Sequence, residues 1–421
     1  MKNIKFIHCA DLHIDRPMVR ISAINEALGE LFRQSTFESF NNIIELAINE
    51  SVDCVLISGD IYDSDDKSLQ AQLRFRNGLQ KLSNEGIPTY IVHGNHDPLN
   101  SWSAKLGWPE DVFIFPGDKV ECKPLTKNGE VIASIYGISF LNRDIFDNLA
   151  LRFEAKKERI HRIGMLHTNI GKNTGHEPYA PCTIQDLSAS RMDYWALGHI
   201  HAHNILKTND PAIVYPGCSQ STNPGETGEK GCCLVTLEHG VDPDIKFLPT
   251  DTVRYKTDEI DISICTSLDN IISSIREKCE QVAVEMNNRH VVIRLSIYGM
   301  NDLDSELRRG NCIDEIVEHI REYFTGKTPW IWLERLTLRT TGIYDLATLR
   351  QSNDFIADII SIYDELENTN SEYWESIHDK LNVLFSTWQG QKYLDELSDS
   401  ELLELAHEAR DWTIDTFLRS E

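Results

Sequence analysis

The sequence predicts an α/β protein that carries a smaller α+β module and a helical carboxyl-terminal segment. Short apolar runs alternate with amphipathic helical patterns through the first 250 residues. Strand-like and helical stretches mix over 251–340, and from 341 onward the pattern turns helical and acidic. A length of 421 residues also exceeds what one ordinary core serves. The expected domains are therefore 1–250, 251–340 and 341–421, with the first boundary at PTDTVRYK.

NIKFIHCA reads as the opening strand, and 32–51 as a helix with apolar residues at 37, 40, 43, 44, 47 and 48. DCVLISGD is a buried-type strand, 67–86 a helix closed by Gly86, and IPTYIVHGNHD a third strand. Strand–helix–strand–helix–strand predicts parallel pairing with right-handed crossovers. Further strands are expected at VFIF, VIASIYGISF, HRIGMLHT, DYWALGH, AIVYPG and GCCLVTLE. The crossovers thin out after about 130, which predicts a mixed sheet. In the middle module, strands RYKTDEIDIS, RHVVIRLSIYG and WIWLERLTLR flank helices near 267–287 and 303–325. Helices are expected over 348–366, 371–388 and 398–418, the last opening on SDSE as a capping box.

Composition limits the function classes. No apolar run approaches 18 residues, which excludes a membrane-spanning helix. The amino-terminal stretch has no basic-then-apolar signal layout, so a cytoplasmic protein is the expectation. Ten cysteines are scattered with no C-x-x-C, and several sit inside apolar runs, so reduced structural thiols are expected. Formal net charge is −25. Residues 1–250 carry 24 basic and 32 acidic groups, whereas 341–421 carry 5 and 18. Such a protein is a poor general binder of polyanions, and any nucleic-acid contact must be local and metal-assisted.

Open α/β sheets place their sites beyond the carboxyl ends of the strands. Here those ends carry Asp11 and His13, then Asp60 in GDIYD, then Asn95, His96 and Asp97 in GNHD. Later strands end at His167 and in GHIHAHN, which holds His199, His201 and His203. If extended, that last stretch turns three imidazoles to one side, and spacing alone leaves open which of them bind a metal. Mixed imidazole, carboxylate and amide sets suit Mn²⁺, Fe²⁺ or Zn²⁺, and the lack of cysteine argues against a structural zinc. Two ions roughly 3.5–4 Å apart need a shared carboxylate. Asp60, in the central strand, is the natural bridge.

The series D-x-H, G-D-x-x-D, G-N-H-D, a lone histidine and G-H-x-H resembles the calcineurin-like metallophosphoesterase superfamily. ADLH, SGDIYD and YPGCSQSTNPGETGEKG are similar to the bacterial SbcD-type DNA repair exonucleases, especially their YhaO-like branch. The resemblance implies a four-layer αββα sandwich with an α+β capping domain. It implies one ion on Asp11, His13, Asp60 and His201, and a second on Asp60, Asn95, His167 and His199, with Mn²⁺ the expected metal. His96 is then the acid that protonates the leaving oxygen, oriented by Asp97, and His203 is left without a role. DNA is the implied substrate, an SMC-like ATPase docking on the carboxyl-terminal helices the implied partner, and a homodimer the implied assembly. Related archaeal and eukaryotic nucleases have histidine where this chain has Asp63.

Two rival readings remain. A phosphoesterase of small nucleotides or phosphoproteins would use the same metals, although Ser64 follows Asp63 where the protein phosphatases read G-D-x-x-D-R-G. A non-catalytic scaffold would not need a ligand at every motif. Of the other features, His8, His93, His161 and His176 are expected to be ordinary side chains. The basic stretch 152–162 is expected to be an ion-paired, solvated helix, and Trp330 and Trp332 to pack in a core.

Overall fold

The computed structural model describes residues 2–16, 26–63, 67–156, 159–171, 179–287, 289–351, 355–366 and 399–418, with short pieces between 373 and 383. These form two compact units, Met1–Tyr255 and Lys256–Glu421.

The first unit is built on two six-stranded sheets. Strand β1 (Ile4–Cys9) leads to helix α1 (Glu26–Asn49), β2 (Cys54–Ser58), α2 (Leu69–Asn84), β3 (Thr89–Val92) and β4 (Val112–Ile114). The second sheet follows: β5 (Glu121–Lys127), β6 (Glu130–Gly137), β7 (His161–His167), the short helix α3 (Ile184–Ala189), β8 (Tyr194–Gly198), β9 (Asn204–Lys207) and β10 (Ala212–Tyr215). Strands β11 (Gly231–Leu237) and β12 (Asp244–Pro249) return to the first sheet, whose order is β12-β11-β1-β2-β3-β4. The second runs β5-β6-β7-β8-β10-β9. Pairing of β1, β2, β3 and β4 is parallel, as the crossover helices require. The second sheet is mixed, parallel across β6-β7-β8-β10 and antiparallel at both edges.

Alternation along the strands makes the layers. Phe6, Leu56, Tyr90 and Val92 turn toward Ile135, Ile163, Met165 and Tyr194 of the other sheet and form the inter-sheet core. Ile7, Val55, Ile57 and Ile91 turn the other way, against Phe37, Phe40, Phe75 and Leu79 of α1 and α2. The outer layer of the second sheet is thin, made by α3, a 3₁₀ turn at Leu149–Arg152 and loops around Trp195. The αββα expectation holds, with one helical layer much the heavier. The described residues of the basic stretch 152–162 do not form an α-helix: Arg152 ends the 3₁₀ turn, 153–156 and 159–160 have no helix, 161–162 open β7, and Lys157 and Glu158 lie outside the described residues.

Trp195 is fully buried, donates its indole N–H to the Leu187 carbonyl at 3.0 Å and meets Phe153 edge-on at 4.8 Å. Trp195→Ala is expected to destabilise the first unit by about 3–5 kcal/mol, read as a lower urea midpoint.

In the second unit a three-stranded sheet, β13 (Val253–Asp261), β14 (His290–Met300) and β15 (Ile331–Thr341), carries α4 (Leu268–Glu285) and α6 (Cys312–Phe324). Their apolar stripes close one core through Ile271, Ile275, Ile293, Leu295, Ile320 and Leu333. The helix expected over 303–325 is split into α5 (Asp304–Leu307) and α6, with Gly310 at φ 57° between them. Trp330 stacks on His290 at 5.0 Å and Trp332 lies under Arg321, so both tryptophans pack within the unit. Helices α7 (Leu346–Arg350), α8 (Phe355–Leu366) and α9 (Asp399–Leu418) follow, with Ile356, Ile360 and Ile414 buried together. Most of the expected helix 371–388, and Ser398 of the capping box, lie outside the described residues. Among the described residues no helix is long and apolar enough to cross a membrane.

Candidate metal centre

The centre sits where β1, β2, β3, β7 and β8 end, along the seam between the sheets. Beyond β1 and β2 the chains stay tied: the amides of Asp11, His13 and Ile14 donate to the carbonyls of Gly59, Asp60 and Ile61 at 2.8–3.1 Å. To turn their side chains inward, Asp11, His13, Asp60 and His199 adopt φ of 51°, 41°, 50° and 102°. Each such residue costs about 1–3 kcal/mol, a strain that persists only where surrounding structure holds it. Four of the expected ligands sharing it is a mark of a functional site.

Asp11 and Asp60 are the buried acids at the middle. One group of converging ligand atoms joins Asp11, His13 and His201, and another joins Asp11, Asp60 and His167, each within 4.8 Å. Both Asp11 oxygens accept from the His199 amide at 3.1 Å. Asp60 Oδ1 accepts from the His96 amide at 2.9 Å, while Oδ2 lies 3.4 Å from His167 Nε2. Asn95 Oδ1 is 3.0 Å from that same nitrogen. The His199 ring stands edge-on to His167, with centroids 5.2 Å apart. Every expected ligand therefore falls in one neighbourhood.

Electrostatics divides the two acids. Burial pushes the Asp11 carboxyl up, with Asp60 adding to the rise and His167 and His201 opposing it. Burial would also raise Asp60, yet His167 foremost, then His96 and His13, hold it well below the usual carboxylate range. His167 is raised to about 9: burial opposes this, and Asp60 foremost, with Asp11 and the Ser58 carbonyl, together outweigh it. Paired buried carboxylates among imidazoles are the surroundings a divalent cation neutralises.

The histidine nitrogens test that fit. His201 Nδ1 meets Glu226 Oε1 at 2.6 Å, and His13 Nδ1 approaches Asp63 Oδ1 to 3.0 Å. The Nε2 atoms of His13 and His201 face each other at 3.1 Å, with one proton at most between them. A cation taking both lone pairs relieves that approach. His167 Nδ1 meets the Ser58 carbonyl at 2.9 Å, which likewise directs Nε2 inward. Oxygen and imidazole donors without a thiolate suit Mn²⁺, Fe²⁺ or Zn²⁺.

Two expectations need correction. Asp97 does not orient the His96 ring: its carboxylate accepts from the Gly94 and Ile61 amides at 2.9 and 3.1 Å and meets His93 Nδ1 at 3.0 Å. The His96 ring is held by the Asp63 carbonyl, 2.9 Å from Nδ1. Asp97 and His93 thus fix the turn that presents Asn95 and His96. Secondly, β8 ends at Gly198, so period two does not govern His199, His201 and His203. His203 turns away, its Nδ1 on the Tyr215 carbonyl at 3.1 Å and its ring stacked on Phe247. His8 is held between the Tyr194 hydroxyl and the Leu197 carbonyl, and His176 lies outside the described residues.

Glu226 is the participant that sequence reasoning missed. It is nearly buried and accepts from the Thr222 amide at 2.6 Å and from the Thr222 hydroxyl at 3.1 Å, besides its bond with His201. Burial would raise its carboxyl, but His201 brings it down to about 2. All ten cysteines are free, and Cys9, Cys54 and Cys232 are core thiols pushed up by burial.

Residues 4–203 match the calcineurin-like phosphoesterase family, and 255–341 match the middle domain of metallophosphoesterase YhaO. The chain is 34% identical over 350 residues to "Uncharacterized metallophosphoesterase YhaO" of Bacillus subtilis, covering 83% of this chain and 85% of that one. It is 25% identical over 391 residues to the DNA double-strand break repair protein Mre11 of Thermoplasma acidophilum, covering 86% and 97%. The Mre11 protein of Sulfurisphaera tokodaii is 27% identical over 218 residues, about half of each chain. The chain belongs to the calcineurin-like metallophosphoesterases, a family of metal-dependent hydrolases, and within them to the YhaO kind.

Proposed function

We propose that the protein is a two-metal phosphodiesterase that cleaves DNA as an exonuclease or endonuclease. The observation that carries the reading is the buried Asp11–Asp60 pair, bracketed by His13 and His201 on one side and by His167 and Asn95 on the other. Asp11, His13, Asp60 and His201 would hold one ion, and Asp60, Asn95, His167 and His199 the other. Two divalent ions, Mn²⁺ first among them, supply charge neutralisation at the phosphoryl group and a more acidic water. The chain's own groups do the rest. Asp60 would be shared by both positions, and His96, whose Nδ1–H donates to the Asp63 carbonyl, would as the imidazolium pass its Nε2 proton to the departing oxygen. The Mre11 relatives, described as DNA double-strand break repair proteins, support DNA as the substrate. The motif resemblance to the SbcD-type exonucleases supports an SMC-like ATPase as partner, received on the acidic helices beyond residue 341, and a homodimer as the assembly.

A second reading, hydrolysis of small nucleotides, is favoured by the acidic balance of residues 1–250. Hydrolysis of a model diester, a model monoester and end-labelled DNA in Mn²⁺ separates the two. The nuclease reading predicts cleavage of DNA and diester well above monoester, and monoester preference with intact DNA overturns it. His96→Gln is expected to lower kcat by roughly 10²–10⁴-fold with bound Mn²⁺ unchanged. Loss of metal from that variant would make His96 a ligand instead.

A further inference from the structure

We infer that Glu226 is a positioning residue that sets the affinity of one metal position, the one on Asp11, His13 and His201. The inference rests on the two-metal reading above.

Among the described residues, the outer supports of His201 and His167 differ in charge. On the first side, His201 Nδ1 is held by the Glu226 carboxylate at 2.6 Å, and His13 Nδ1 lies 3.0 Å from the Asp63 carboxylate. Asp63 is itself 3.2 Å from Arg16. On the second side, His167 Nδ1 rests on a neutral group, the Ser58 carbonyl, and the amide of Asn95 stands beside Nε2. A carboxylate behind an imidazole fixes its tautomer and makes the opposite nitrogen a stronger donor than a peptide carbonyl does.

Glu226 is built to hold rather than to follow. Thr222 ties Oε2 through both its amide and its hydroxyl, and the Ser221 hydroxyl donates to the Glu226 carbonyl at 2.7 Å. The loop between β10 and β11 thereby closes on itself and presents Oε1 to His201. The loop's own hydrogen bonds fix the carboxylate, so the ring it holds loses little freedom on metal binding.

Mn²⁺ titrations of the full chain, followed by calorimetry and by the spin-resonance signal of the free ion, test this directly. Wild type is expected to bind two ions in two separable steps. Glu226→Gln should weaken one step about 10–100-fold and leave the other in place. Thr222→Val, which keeps the carboxylate but removes one of its ties, should weaken the same step by a smaller factor; it carries the test if the Gln variant does not fold. A merely structural role would lower both steps together, and that result, or unchanged binding in both variants, overturns the inference. A wild type that binds fewer than two ions contradicts the two-metal reading instead.

Discussion

Asp60→Asn is expected to abolish Mn²⁺-dependent phosphodiester cleavage and to reduce bound metal below two ions per chain. In the proposed centre Asp60 would serve both positions: one oxygen takes the His96 amide and the other faces His167, beside Asp11, which is common to both groups of converging ligand atoms. Burial would raise the Asp60 carboxyl, but His167, His96 and His13 hold it well below the usual carboxylate range. Asparagine keeps the shape and an acceptor but removes the charge that two cations would share. Outer partners of metal ligands cost 10–100-fold in affinity, and a shared inner ligand should exceed about 100-fold. Dialysis against Mn²⁺ followed by metal analysis, with circular dichroism to verify the fold, checks the expectation. Two tightly bound ions in Asp60→Asn would remove it from the bridging role.

Gly94→Ala should be nearly as damaging for a purely spatial reason. A Cβ on Gly94 would lie 2.2 Å from Asp60 Oδ1 and 2.8 Å from His167 Cε1 and Nε2. Neither neighbour can withdraw cheaply, since His167 is tied to Ser58 and Asp60 to His96. Displacing reacting groups by about 1 Å can cost 10²-fold in rate, and overpacking a closed site about 1–3 kcal/mol. The variant is therefore expected to fold with lower stability and to lose about 10²-fold or more in turnover. Gly107→Ala, where the added carbon meets nothing within 4 Å, serves as the neutral comparison. Wild-type turnover in Gly94→Ala would mean that Asp60 and His167 can move without consequence.

Much of this arrangement was legible because ligands at strand ends leave a local mark. Asp11, Asp60, Asn95 and His167 each follow a short apolar run, and such runs are what periodicity detects. The strands that escaped detection, β5, β9 and β12, all lie at sheet edges. Edge strands keep a polar, half-solvated surface, as ECKPLTK does with Pro124 inside it, so no apolar run announces them. Glu226 was hidden for another reason. It lies in a loop without periodicity, and its partner His201 stands 25 positions earlier. Its one local trace was the turn-forming STNPGET, in which the Ser221 and Thr222 hydroxyls close on Glu226. The family resemblance implied that Asp97 orients His96, whereas the turn sends its carboxylate back to His93, Gly94 and Ile61.

The most direct test of the central claim is anomalous diffraction from crystals of the protein grown with Mn²⁺. Two peaks are predicted, roughly 3.5–4 Å apart with Asp60 between them. The ligands should be Asp11, His13 and His201 on one side and Asn95, His167 and His199 on the other. A single peak, or two that leave Asp60 unshared, would contradict the account.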